Sequence, residues 1–145
     1  MADNLFPAKK PTKDIRKDHS LKATPARELV LAALARERRP QSAQEVFDAL
    51  SKKNDVDLVT VYRTLASFEK AGLARRVDLR RDSVSYELKG EHHHHIVCTE
   101  CGAVEDFDLC GMEALTRKVM AGSKRFRVVR EHALELFGTC VSCSA

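Results

Sequence analysis

The sequence predicts an α+β chain of two modules: a winged helix-turn-helix over residues 1–88, then a small α/β module over 89–145 stapled by metal. Three observations predict it. Three well-capped helical stretches and a basic hairpin fit into fewer than 90 residues, the outline of a winged helix. Four consecutive histidines, His92 to His95, run straight into Cys98-Thr99-Glu100-Cys101. A second Cys-x-x-Cys follows at Cys140 and Cys143, and imidazole and thiolate are the ligands that Zn2+ and its neighbours prefer.

The bulk numbers fit that outline. A length of 145 residues allows one domain or two small ones. A content of 43% hydrophobic and 32% charged residues reads as soluble and globular, while 6% aromatics without Trp implies a small aliphatic core that metal crosslinks would help. The first twenty residues hold no apolar signal-peptide core and no run reaches membrane-spanning length, so a cytoplasmic protein without a membrane partner is expected. Five cysteines, four of them in Cys-x-x-Cys pairs, suit a reducing compartment and a metal site better than disulfides. Residues 1–90 carry 19 Lys and Arg against 13 Asp and Glu, and residues 91–145 carry 6 against 8, so a basic half precedes a mildly acidic one. Charge of this size alone does not separate DNA binding from ordinary solvation.

Taken in order, residues 1–12 read as a flexible arm and 13–22 as a short polar helix. Thr24-Pro25 supplies a cap and a first-turn proline for a helix reaching about residue 38, with Leu29, Val30, Ala33 and Leu34 on one side. Ser42-Ala43-Gln44-Glu45 is a capping box that opens a second helix, ending near Asn54. Asp57 caps a third over 58–71, stopped by Gly72. There Leu58, Val61, Leu65 and Phe68 share one face and leave Val59, Thr60, Tyr62, Arg63 and Ser67 outside.

Strands over 73–78 and 83–88 flank the basic turn at Arg80 and Arg81. Thr60, Tyr62 and Arg63 lie where a recognition helix meets base edges and phosphates. Arg75, Arg76, Arg80 and Arg81 put positive charge on the wing, where only phosphate need be met. Either element alone would read as a solvated face; together they favour double-stranded DNA as partner.

The second module is read as strands over 92–97 and 103–107, a helix over 112–121 with Met112, Leu115 and Val119 inward, and a long strand over 126–137. Cys98, Cys101, Cys140 and Cys143 supply four thiolates for one closed tetrahedral Zn2+, a structural site. Such sites contribute on the order of 10–16 kcal/mol in small peptides. On a strand successive side chains alternate faces, so His92 and His94 share one face and His93 and His95 the other. Glu87, Asp106, Glu113 and His132 are available to complete the two pairs. Cys110 reads as a small packing residue, with redox sensing the lesser option.

Enzyme readings fare poorly. Zinc deaminases need His-x-Glu with Pro-Cys-x-x-Cys, and zincins need His-Glu-x-x-His. Glu131-His132 has no second histidine at the right distance, and no nucleophile has an evident base. No small organic substrate is expected. A metal buffer or chaperone acting without DNA is the alternative, and a zinc hydrolase a distant third.

The chain resembles the ferric uptake regulator superfamily of bacterial metal-sensing repressors. The resemblance is carried by Thr24-Pro25-Ala26-Arg27, Ser42-Ala43-Gln44-Glu45-Val46, Thr60-Val61-Tyr62-Arg63-Thr64-Leu65, Tyr86-Glu87, the tract from His92 to Gly102, and the tract from His132 to Cys143. It implies a homodimer that binds an AT-rich inverted repeat when loaded with metal. It also implies a structural zinc on Cys98, Cys101, Cys140 and Cys143. A regulatory metal (Fe2+, Zn2+ or Mn2+) falls on Glu87, His93 and His95, with Asp106 a further candidate, and another site on His92, His94, Glu113 and His132. Pro40 stands where many members supply a histidine to the regulatory site, so Asp78, His19 or water is expected there instead.

Overall fold

The computed structural model describes residues 21–37 and 39–145, which fall into two compact units meeting between Gly90 and Glu91. The arm over 1–12, most of the expected first helix, His19 and the expected helix end at Arg38 lie outside the described residues.

In the N-terminal unit, helix α1 spans Pro25–Arg36, with the Thr24 hydroxyl accepting from the Arg27 N–H and Pro25 in the first turn. A two-residue strand, β1 (Gln41–Ser42), leads into helix α2 (Ala43–Ser51). The capping box is formed: the Glu45 N–H donates to Ser42 Oγ at 3.1 Å, and the Ser42 N–H donates to Glu45 Oε2 at 2.8 Å. This satisfies two of the donors that a helix start leaves over. The helix ends at Ser51, three residues before the expected Asn54.

Helix α3 spans Leu58–Lys70 and is capped by Asp57, whose carboxylate accepts from both the Thr60 N–H and hydroxyl at 2.8 Å. Gly72, at φ 74°, takes the left-handed turn beyond it, and the Leu73 N–H closes on the Phe68 carbonyl at 2.8 Å. Strands β2 (Ala74–Val77) and β3 (Ser85–Leu88) pair antiparallel, with Arg75 opposite Glu87 and Arg76 opposite Tyr86. The sheet order is β1-β3-β2.

Strand β1 was not expected, because two residues carry no periodicity to read. Gln41 nevertheless pairs with Tyr86 and sends its amide to the Ala33 carbonyl at 3.3 Å, joining the sheet to α1. The core is aliphatic and continuous: Val30, Leu34, Val46, Val61, Leu65 and Phe68 are all essentially inaccessible. Leu58, expected on the inner face of α3, is only partly covered.

In the C-terminal unit, strand β4 (His94–Cys98) lies between β5 (Val104–Phe107) and β6 (Glu135–Gly138). Pairing is antiparallel to β5 and parallel to β6. Helix α4 spans Met112–Gly122.

Two expectations fail here. The last strand covers only Glu135–Gly138, and residues 126–134 form neither helix nor strand. The run of apolar residues at Phe126, Val128 and Val129 is exposed, so it has no sheet face to bury against. Helix α4 has no buried residue: Leu115 is 50% and Val119 55% exposed and Met112 is half-buried, so among the described residues the expected inward face is largely uncovered. Among the described residues no helix is long and apolar enough to cross a membrane.

Candidate metal centres and nucleic-acid interface

Two turns build the cysteine cluster. Gly102 adopts φ 74°, which lets its N–H close on the Cys98 carbonyl at 2.9 Å and brings Cys101 back toward Cys98. At the other end the Cys143 and Ser144 N–H groups both donate to the Cys140 carbonyl at 3.0 Å. The two turns meet because β4 and β6 run parallel, Cys98 beside Gly138.

All four Sγ atoms lie within 4.8 Å of one another, and Cys101 and Cys140 approach to 3.7 Å. Four thiolates around one Zn2+ at Zn–S near 2.3 Å would sit about 3.8 Å apart. The donor set and its spacing therefore fit the metal. N–H groups stabilise one thiolate in advance: the backbone amides of Cys101 and Cys140 hold the Cys98 thiol down to about 6. The neighbouring sulfurs of Cys140 and Cys101 push the Cys143 thiol up to about 12. A cluster that resists full ionisation by itself gains most from a divalent cation.

The four-histidine run divides by strand face. The His93 and His95 rings stand 4.9 Å apart, and the His92 and His94 rings 4.5 Å apart. Asp106 is the direct cross-strand partner of His95 and is half-buried. Of the candidates contributed by the N-terminal unit, Glu87 is buried on β3, and Arg75 engages its Oε1 at 2.6 Å. Asp78 is exposed and accepts the Arg80 N–H at 2.8 Å.

On the other face, His92 Nε2 lies 3.0 Å from His94 Nε2 and 3.1 Å from His132 Nε2. Glu113, expected to complete this set, is exposed at the start of α4 and is not in the cluster. Cys110 takes that place, with Sγ 3.4 Å from His132 Nε2. Cys110, expected as a packing residue, is half-buried against His132. The available signal was that it is the one cysteine outside a Cys-x-x-Cys pair.

The expected DNA contacts divide too. On α3, Tyr62 and Arg63 are exposed, with Val59 beside them, while Val61, Thr64, Leu65 and Phe68 are spent in the core. Thr60 is half-covered, and its hydroxyl proton is committed to Asp57. On the wing, Arg75 is tied to Glu87 and Arg76 to Glu69 at 2.8 Å, with its guanidinium over the Tyr86 ring at 5.9 Å. Arg81 reaches Glu45 at 3.7 Å. Arg80 is exposed at the turn, at φ 54°. Much of the wing's positive charge therefore has an internal partner, which sequence distance hid.

A sequence profile of the ferric uptake regulator family matches residues 18–137. The ferric uptake regulation protein of Legionella pneumophila is 40% identical over 130 residues, covering 88% of this chain and 94% of its own. That of Neisseria gonorrhoeae is 37% identical over 132 residues, covering 89% and 90%. The solved ferric uptake regulator of Francisella tularensis with iron superposes with a TM-score of 0.73 at 32% identity, over 87% of this chain and 96% of that one.

Proposed function

The chain belongs to the ferric uptake regulator family, and on that premise we propose a homodimeric repressor whose hold on an AT-rich inverted repeat depends on a divalent metal. It is a metal-responsive, DNA-binding transcriptional regulator with one structural zinc and one sensed ion, Fe2+, Zn2+ or Mn2+. The observation that carries this reading is the pairing of unlike halves. One half presents Tyr62 and Arg63 on the outer side of a helix whose inner side is fully used in packing. The other gathers cysteines and histidines into clusters with metal-ligand spacing.

We assign structural zinc to Cys98, Cys101, Cys140 and Cys143, and the sensed metal to His93 and His95 with Glu87, as the family resemblance implies. Support for the thiolate assignment is the sulfur spacing; support for the imidazole pair is their shared strand face and the carboxylate of Asp106 opposite His95. The open face of α4 supports the homodimer, since Leu115 and Val119 are apolar and uncovered. A cytoplasmic location follows from the same role.

Binding of metal and DNA is reciprocally coupled: metal raises DNA affinity by the factor by which DNA raises metal affinity. The test is fluorescence anisotropy on the promoter of the chain's own gene, with structural zinc retained and the sensed metal added or chelated. Tighter binding with metal supports the switch. Equal binding in both states overturns it, and no DNA binding in either returns the chain to a metal buffer.

A further inference from the structure

Arg75 and Glu87 are direct cross-strand partners between β2 and β3, on the face of the sheet that also carries Val77 and Ser85. Nε and Nη2 of Arg75 both lie 2.6 Å from one carboxylate oxygen, Glu87 Oε1. The Glu87 side chain is 1% exposed and the Arg75 side chain 33%. A carboxylate so deeply covered needs a counter-charge, and the guanidinium fork supplies one. On the assignment of Glu87 to the sensed metal, we propose that Arg75 is the resident counter-cation that the divalent ion must displace. Arg75 then sets the metal concentration at which the switch responds.

Neutral side chains flank the pair. The Ser85 hydroxyl, next on the same face of β3, is buried and makes no hydrogen bond, so it does not share the carboxylate. On the other flank of β3, β1 sets Gln41 beside Tyr86, and the residue before it is the fully buried Pro40, whose side chain has no donor. Two other wing cations are engaged elsewhere, Arg76 with Glu69 and Arg81 with Glu45.

A buried ion pair adds little net stability, because desolvating two charges offsets their attraction. Removing one partner is different, since it strands the other charge. Glu87 therefore needs a cation, and either Arg75 or a divalent ion can meet the need. Both at once are disfavoured: a guanidinium 2.6 Å from Oε1 repels a dication drawn to the same carboxylate. With a third of its side chain exposed, Arg75 can turn to solvent when the ion takes its oxygen. Loss of Arg75 thus raises the free energy of the metal-free form more than that of the loaded form, and metal binds more tightly.

The test uses the full chain with structural zinc retained, and titrates Mn2+ while electron paramagnetic resonance reads the free ion. Glu87→Gln identifies the binding event by weakening it. Arg75→Gln should tighten that event by about 10-fold or more, and Mn2+ should raise its melting temperature further than it raises the parent's. Arg75→Lys, which keeps the charge without the fork, should fall between the two and decides the matter if the glutamine variant does not fold. Arg39→Gln, which removes a cation paired with Glu45 instead, should leave Mn2+ affinity near the parent's. Equal tightening in Arg39→Gln marks a general charge effect and overturns the proposal. So does an affinity unchanged or weaker in both Arg75 variants while Glu87→Gln weakens it, a result that leaves the proposed function standing. Mn2+ binding that Glu87→Gln leaves as it was removes Glu87 from the sensed site, and the proposal with it.

Discussion

The two halves of the chain hold themselves together in different ways. Buried apolar side chains run through the N-terminal unit from Val30 to Leu88, and the hydrophobic cluster lies wholly within it. In the C-terminal unit Val97 and Cys98 are the only buried hydrophobic residues, while Leu109, Phe126, Val128 and Leu136 are exposed. A three-stranded sheet with so little apolar cover falls short of independent stability. On the assignment proposed above, zinc on Cys98, Cys101, Cys140 and Cys143 would supply what the missing core does not. The contrast is one of division: a self-supporting apolar core in one half, and in the other a fold expected to depend on the ions it carries.

The largest test of that contrast is Cys98→Ser. Loss of one thiolate removes a stabilisation on the order of 10 kcal/mol for such sites, so the C-terminal unit should unfold while the helical circular dichroism of α1 to α3 persists. The reverse lesion is Phe68→Ala, which opens a cavity in the helical core and should cost about 3–5 kcal/mol. Thermal melts should show the N-terminal unit weakened and the bound zinc, counted by elemental analysis, unchanged.

Arg63→Ala sharpens the account of the reader. It should lose about 1–3 kcal/mol of DNA affinity with relaxed preference at one base pair, if Arg63 meets a base edge. Arg76→Ala should lose less, because Arg76 is already paired with Glu69. Competition binding with single-base operator variants measures both.

Smallest is the capping of the helices. Ser42→Ala should cost about 1 kcal/mol by removing the acceptor for the Glu45 N–H. Asp57 acts in the same way on α3 and adds a pH signature. The N–H and hydroxyl of Thr60 hold its carboxyl below the usual carboxylate range. Its contribution is therefore present at neutral pH and lost as pH falls through that lowered value. An acid titration of helicity should be less steep in Asp57→Asn than in the parent chain.

The sequence made the helical half easy to read, because caps and apolar spacing are local. Thr24, Ser42, Asp57 and Gly72 stand at or beside the ends they announced. What it could not show depended on partners distant in the chain. Strand β1 exists only because β3 lies beside it, and α4 looked amphipathic although among the described residues nothing buries its apolar face. The run from Phe126 to Val129 has the composition of a strand without a neighbour to pair with. Among the ligands, strand parity already separated His92 and His94 from His93 and His95. Cys110 escaped because its nearness to His132 is a contact between segments 22 residues apart, which no local pattern encodes.

The most direct test of the division is residue-resolved amide hydrogen exchange before and after removal of all bound metal. Stripping the ions should abolish protection in β4, β5 and β6 while leaving the amides of α1, α2 and α3 protected as before. Persisting protection across β4 to β6 without metal, or parallel loss in both halves, would contradict it.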